Sequence, residues 1–328
     1  MKHPFLSILI LLFLVQSCGN PIKDEGAIVD VEQGTDVVET PVPEAPAPVP
    51  ATEVGDNSEN EEYLGSWVGY FRKDTGNDGD YDDRSLFLDE GYVWDRENKI
   101  NLSIDKIIGD SVIGHSVVAG NDRPFYGRMG RDGIADPMTF KVREPGDDKY
   151  DGAFTFYIED DVLEGTWLAY GNINIRKRRY QLEKKEFAYD PDIMIEYAKQ
   201  FVDWTNSIEE KVTEDYGDGE FEEWMQSQYA TATEAIYEIN ASNRRLKKSE
   251  VDNLKKGDLT IIRNTIYARH GYSFKNRPLR VFFDAQPWYI PIHTDIRSDF
   301  TDLEKENIRL LLKYEKNAAE YYDSFGRG

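Results

Sequence analysis

From Gly65 to about Phe187, apolar residues recur at every second position, and this pattern limits the fold more than any other feature of the chain. Lys99 to Asp105 is apolar at Ile100, Leu102 and Ile104. Gly109-Asp110-Ser111 then supplies turn chemistry, and Val112 to Val118 follows, so the stretch reads as a β-hairpin. Similar runs lie at Ser66 to Phe71, Phe125 to Met129, Thr139 to Arg143, Ala153 to Ile158, Glu164 to Tyr170 and Ile173 to Glu183. Short alternating strands joined by tight Gly, Asp and Asn turns predict an antiparallel barrel or sandwich over 63–188.

Gly65-Ser66-Trp67 opens this domain and Gly165-Thr166-Trp167 recurs near its end. A Gly-x-Trp on the first strand resembles the lipocalin and avidin-like barrels, in which the tryptophan plugs one end. That resemblance implies a barrel, with a sandwich as the alternative. A small barrel either holds one ligand in its mouth or is filled by its own side chains.

After Tyr189 the period changes. Asp190-Pro191-Asp192 has the form of a helix start, and Ile195, Ala198 and Val202 recur at helical spacing. A second helix is expected over Phe221 to Ile239, with Trp224, Ala232, Ala235, Ile236 and Ile239 inward, giving a helical connector over 189–240. Leu259, Ile262 and Ile266, with Tyr267 beside them, predict a helix ending near His270, with Asp258 at its start. Gly271 stands where a left-handed residue is wanted after the helix, and Arg269 and His270 fall in the last turn, against the negative end of the dipole. Leu279 to Phe283 reads as a short helix. Thr301-Asp302-Leu303-Glu304 reads as a capping box for a last helix with Leu303, Leu310, Leu311 and Tyr314 inward. The overall class is therefore α+β.

The segment LTIIRNTIYARHGYSFKNRPLRVFFDAQPWYIP, followed by LEKENIRLLLKYE, resembles the YARHG domain of bacterial exported proteins. Arg263-Asn264, Tyr267 to Gly271, Phe274, Phe282-Phe283, Trp288-Tyr289, Glu304 and Asn307-Ile308 fit its pattern, and the domain is expected over 241–328. The resemblance implies an extracellular module suspected of envelope binding, and it brings no catalytic residues. Arg269, His270, Trp288 and Tyr289 are the candidate partner contacts. Trp288 either packs in a core or stacks on a sugar ring.

The N-terminus carries an address. Lys2 precedes an apolar run from Phe5 to Val15, too short to cross a bilayer core of about 30 Å, which takes about 20 residues. It has the length of a signal-peptide core, so 1–17 read as a leader. Val15-Gln16-Ser17-Cys18 resembles a lipobox, which implies lipidation of Cys18 and membrane attachment. Lys23-Asp24-Glu25 resembles the surface-export signal of lipoproteins in the Bacteroidetes, which implies an outward-facing position on the outer membrane. Residues 18–62, acidic and proline-rich, read as an extended tether without a core. Cys18 is the single cysteine, so no disulfide forms within the chain. A net charge of −23 disfavours nucleic acid as a partner. The expected partners are the membrane, through lipid, and an envelope glycan or surface protein.

One loop could bind a cation. Asp74, Asp78, Asp80 and Asp82 cluster around Gly79 as a Ca²⁺ loop requires, but Ser85 stands where an EF-hand has its bidentate glutamate. The other reading is a solvated hairpin loop, and no further cofactor is expected. His115 sits in a strand with no evident ligand partner. No Gly-x-Ser-x-Gly or His-Glu-x-x-His motif occurs. The chain thus reads as a non-catalytic binding or scaffolding protein. A carrier of a small apolar ligand comes second, and an envelope hydrolase last.

Overall fold

The computed structural model describes residues 60–74, 86–88, 91–93, 97–133, 136–217, 219–323 and 326–327. The leader, Cys18, nearly all of the tether, and Asp78, Asp80 and Asp82 lie outside the described residues.

Eight antiparallel strands close a barrel. In chain order they are β1 (Gly65–Lys73), then, after a separate hairpin of β2 (Leu86–Leu88) and β3 (Gly91–Val93), β4 (Asn98–Ile108), β5 (Ser111–Val118), β6 (Asn121–Gly130), β7 (Met138–Arg143), β8 (Gly152–Glu159), β9 (Val162–Ala169) and β10 (Lys177–Lys185). Each barrel strand pairs with its neighbour, and β1 closes the ring by pairing both β4 and β10. Two tight turns, at Ala119-Gly120 and Asp160-Asp161, hold both central residues at positive φ, the geometry that matches the twist of a hairpin. The barrel, not the sandwich, is the architecture.

Its interior is occupied by rings. Phe140 and Phe156 stack with centroids 4.9 Å apart, and Phe71 meets Trp167 edge-on at 5.6 Å. Phe154 meets Tyr180 at 5.9 Å. Trp67 is fully buried, and its indole N–H donates to the Tyr63 carbonyl at 3.0 Å from the short 3-10 turn Glu61–Tyr63. Tyr63 in turn sets its ring edge-on against Phe140.

The helical connector expected over 189–240 does not form. Residues 189–200 are irregular, with Asp190 accepting the Asp192 amide in a local turn rather than capping a helix. Two long strands follow, β11 (Val202–Asp215) and β12 (Phe221–Thr231), paired with each other as a two-stranded ribbon. Gly217 and Gly219, both at positive φ, reverse the chain between them. Glutamate, glutamine, methionine and alanine favour a helix in this stretch, but the glycine turn pairs it with the strand before. Trp224 accordingly lies exposed on the ribbon, and Ile236 alone of the inward set named for that helix is fully buried.

Helices follow: α1 (Lys248–Val251), α2 (Lys256–Arg269), α3 (Arg277–Asp284) and α4 (Asp302–Tyr321). Asp258 stands inside the first turn of α2 rather than ahead of it. There its carboxylate accepts the amides of Lys255 and Thr233, so it ties the helix start to the chain leaving the ribbon. The capping box of α4 forms as expected: Thr301 Oγ1 accepts the Glu304 amide at 3.2 Å, and Glu304 Oε2 accepts the Thr301 amide at 3.0 Å. The buried stripe of α4 is rotated from the expected one. Glu304, Asn307, Ile308 and Leu311 are buried, while Leu303, Leu310 and Tyr314 lie at the margin. No described helix is long and apolar enough to cross a membrane.

Candidate functional site

The Tyr267–Gly271 segment ends α2. The Gly271 amide donates to the Ala268 carbonyl at 2.9 Å and the Tyr272 amide to the Tyr267 carbonyl at 3.1 Å, the paired bonds of a Schellman stop. Gly271 has φ of +70°, a conformation that demands glycine, and a Cβ there would also be tight, 3.0 Å from the Phe187 ring.

The two residues before it, Arg269 and His270, face inward. Arg269 is buried. Its guanidinium donates twice to the Ile193 carbonyl, at 2.9 and 2.6 Å, and once to Ser242 Oγ at 3.0 Å. Burial pulls its pKa down to about 10, against the opposing pull of Tyr189 and Glu304. His270 Nε2 lies 2.9 Å from Glu304 Oε2. Its ring stacks on Tyr189 at 4.3 Å and meets the edge of Phe300 at 5.3 Å. The Tyr189 hydroxyl donates to the other oxygen of Glu304 at 3.0 Å. Burial pushes the Glu304 carboxyl up, but the His270 bond, the Thr301 amide and Ser242 outweigh it and hold the group below the usual carboxylate range. Burial, with the adjacent Glu304 charge, drives the Tyr189 phenol well above its ordinary value.

An imidazole, a carboxylate and a hydroxyl therefore meet here, but not at an opening. His270 is 6% exposed and Glu304 is fully buried. Acid–base chemistry needs a substrate proton within hydrogen-bond reach, and this node is closed by Tyr189, Phe300 and the start of α4. Spacing could not reveal the acid, which stands 34 residues from the histidine.

Other residues of the pattern also serve the framework. Arg263 clamps Glu315 of α4 with two bonds, at 2.8 and 3.0 Å. Asn307 accepts the Leu246 amide and donates to the carbonyls of Ala241 and Arg244, fixing the loop ahead of α1. Tyr289 is buried and its hydroxyl donates to the Tyr272 carbonyl at 2.7 Å. Trp288 is half-buried, and its indole N–H has no hydrogen-bond partner among the described residues. The four candidate contacts are thus brought into one domain, three of them inside it.

The sequence hid the contact between this domain and the barrel. By alternation Lys99, Asn101 and Ser103 of β4 point away from the barrel interior, yet all three are buried, as are Val68 and Val117 in the same outward row. The end of α3 and the residues after it meet this row at Lys99. The Lys99 amide donates to Asp284 Oδ2 at 2.7 Å, and Lys99 Nζ donates to the carbonyls of Gln286 and Tyr289 at 2.7 and 3.0 Å. The Tyr70 hydroxyl donates to the Asp284 carbonyl, and the Gly120 amide to Ser273 Oγ. A Cβ on Gly120 would strike the Lys275 side chain and come near its backbone. Burial raises Asp284 to about 7, against the pull of the Lys99 amide and the Arg280 charge, and lowers Lys99 to about 8, against the pull of Asp284.

The remaining candidates lie on the barrel. Asp74 forms an ion pair with Lys177 at 2.7 Å; its companions in the acidic loop lie outside the described residues. Among the described residues no group of three or more His, Cys, Asp or Glu side chains converges to hold a metal ion. His115 does have a partner, Asp105, at 2.8 Å, and Ser103 donates to the other oxygen of that carboxylate. The acid thus stands between hydroxyl and imidazole, an order in which the imidazole cannot take the serine proton.

No curated protein and no solved structure matches the chain. The family match begins at 233 rather than 241, so it takes in the Thr233–Asp258 contact as well as the buried histidine node: residues 233–316, the C-terminal helical region, are a YARHG domain.

Proposed function

We propose that this chain is a non-catalytic envelope lipoprotein, anchored through Cys18 on the outer face of the outer membrane, that recognises an envelope glycan or protein through its YARHG domain. The observation that carries this reading is where the reactive groups are spent. Arg269 is spent on the Ile193 carbonyl and Ser242, and His270 on Glu304, with His270 6% exposed. The same logic ranks the carrier reading lower, because the rings of Phe71, Phe140, Phe154, Phe156, Trp167 and Tyr180 occupy the space a ligand would need. A rigid unit with its chemistry turned inward is suited to presenting a surface, and the acidic, proline-rich stretch ahead of it is suited to holding that surface away from lipid.

The test uses the full-length protein in cells. Labelled palmitate should enter the wild type and not Cys18→Ala. Purified, unlipidated Cys18→Ala protein should still sediment with isolated envelopes stripped of lipid. Free protein in the supernatant at every envelope concentration would reject recognition, and unlabelled wild type would reject the anchor.

A further inference from the structure

The β11–β12 ribbon lies outside the matched domain, and nothing in the fold described above uses it. Among the described residues its two strands pair only with each other. Its base is held: Phe201 and Val202 are buried, and the chain after β12 is tied to Asp258. Beyond that base its apolar side chains stand in water. Ile208, Tyr216, Phe221, Trp224 and Met225 are each between 39% and 63% exposed.

Register divides these groups between the two faces. Val212 opposes Trp224, and Ile208 lies four residues back on the same face; Met225 opposes Lys211, and Phe221 opposes Asp215, on the other face. An isolated two-stranded hairpin is marginally stable in water. Among the described residues this one pairs with no third strand and carries an apolar group on each face, features that invite strand addition.

Charge selects the occupant. Residues 202–231 hold nine acids and one lysine, and that lysine, Lys211, is already paired with Glu223 at 2.7 Å. A second copy would set like charge against like, and an anionic lipid surface would do the same. A strand carrying lysine or arginine at alternate positions satisfies the free backbone edge, the apolar groups and the glutamates together.

We propose that the ribbon is a docking arm for a cationic segment of another protein, which adds as a third strand to a free edge. This goes beyond recognition through the YARHG domain, because it assigns a contact to a segment outside the matched residues.

The experiment is fluorescence anisotropy of labelled acetyl-(Val-Lys)4-amide with the full-length protein, beside (Val-Glu)4 and (Pro-Lys)4 peptides. The lysine–valine peptide should bind saturably, and added salt should weaken it. The proline peptide, which lacks the amides needed for strand pairing, should bind at least about tenfold more weakly. Glu222→Lys/Glu223→Lys should lower affinity about tenfold or more, and Trp224→Ser should lower it severalfold. These sites are exposed, and circular dichroism checks that each variant stays folded. The control Glu159→Lys/Glu183→Lys, on the barrel, should change nothing. Equal binding of the proline peptide, or an equal loss with the barrel control, would reduce the effect to diffuse charge and overturn the proposal. A dimer in sedimentation that Trp224→Ser dissolves, or flotation of the protein with phosphatidylglycerol vesicles through the ribbon, would overturn it in favour of self-pairing or lipid.

Discussion

The barrel and the YARHG domain are held together by different means. The barrel core is mainly apolar: stacked and edge-on rings fill a closed sheet, and its buried carboxylates, Glu144 and Asp151, stand between β7 and β8 at its margin. The YARHG domain buries Asp258, Asn264, Arg269, His270, Asp284, Gln286, Glu304 and Asn307 among its apolar residues. Apolar burial is non-directional and forgives a change of shape. A buried hydrogen-bonding group does not, because removing one partner strands the other. The comparison predicts a tolerant half and an intolerant half.

The most severe test is Glu304→Ala. It leaves His270, the Tyr189 hydroxyl and the Thr301 amide without their shared acceptor, and it should cost about 3–5 kcal/mol in urea denaturation. A loss below about 1 kcal/mol would erase the contrast between the halves.

Asp284 at the junction offers a test by pH. Its pKa is about 7 in the folded protein and near 4 in an unfolded chain. The folded state therefore holds this proton more tightly, and the stability so gained is present below about pH 4 and is lost as pH rises to 7. Lys99, lowered to about 8, acts in the opposite sense, and stability recovers as pH rises above 8. Asp284→Asn keeps an acceptor for the Lys99 amide and removes the acid. It should flatten the fall between pH 4 and 7, a difference of roughly 2–4 kcal/mol across that window. Parallel curves for wild type and variant would place the titrating group elsewhere.

The smallest effect belongs to the barrel. Leu102 is fully buried among the rings, and Leu102→Met, which conserves volume, should cost less than about 1.5 kcal/mol by thermal melting. A larger loss would mean that the barrel core is as exacting as its neighbour.

The same contrast explains what could be read from the sequence. Alternation located the barrel strands because one face of each lines the apolar interior and the other carries polar residues, even where, as on β4, that outer face is covered, and the αL glycine and the capping box located the ends of α2 and α4 because those signals are local. The ribbon escaped because its apolar residues fall on both faces and its composition is that of a helix. Glu304 beside His270 and Asp284 beside Lys99 escaped because they meet across 34 and 185 residues. Asp258 was legible as a capping acid but not as the acceptor of Thr233, for the same reason.

Closure of the ring sets Ser66 of the first strand against Lys185 of the last. Such a barrel has high contact order, and its final pairing must wait until almost the whole sheet has been made. A chain made N-terminus first keeps β1 open along one side throughout that interval. The slow step of assembly is then the meeting of the two ends, and the period of greatest vulnerability to aggregation is the time before it.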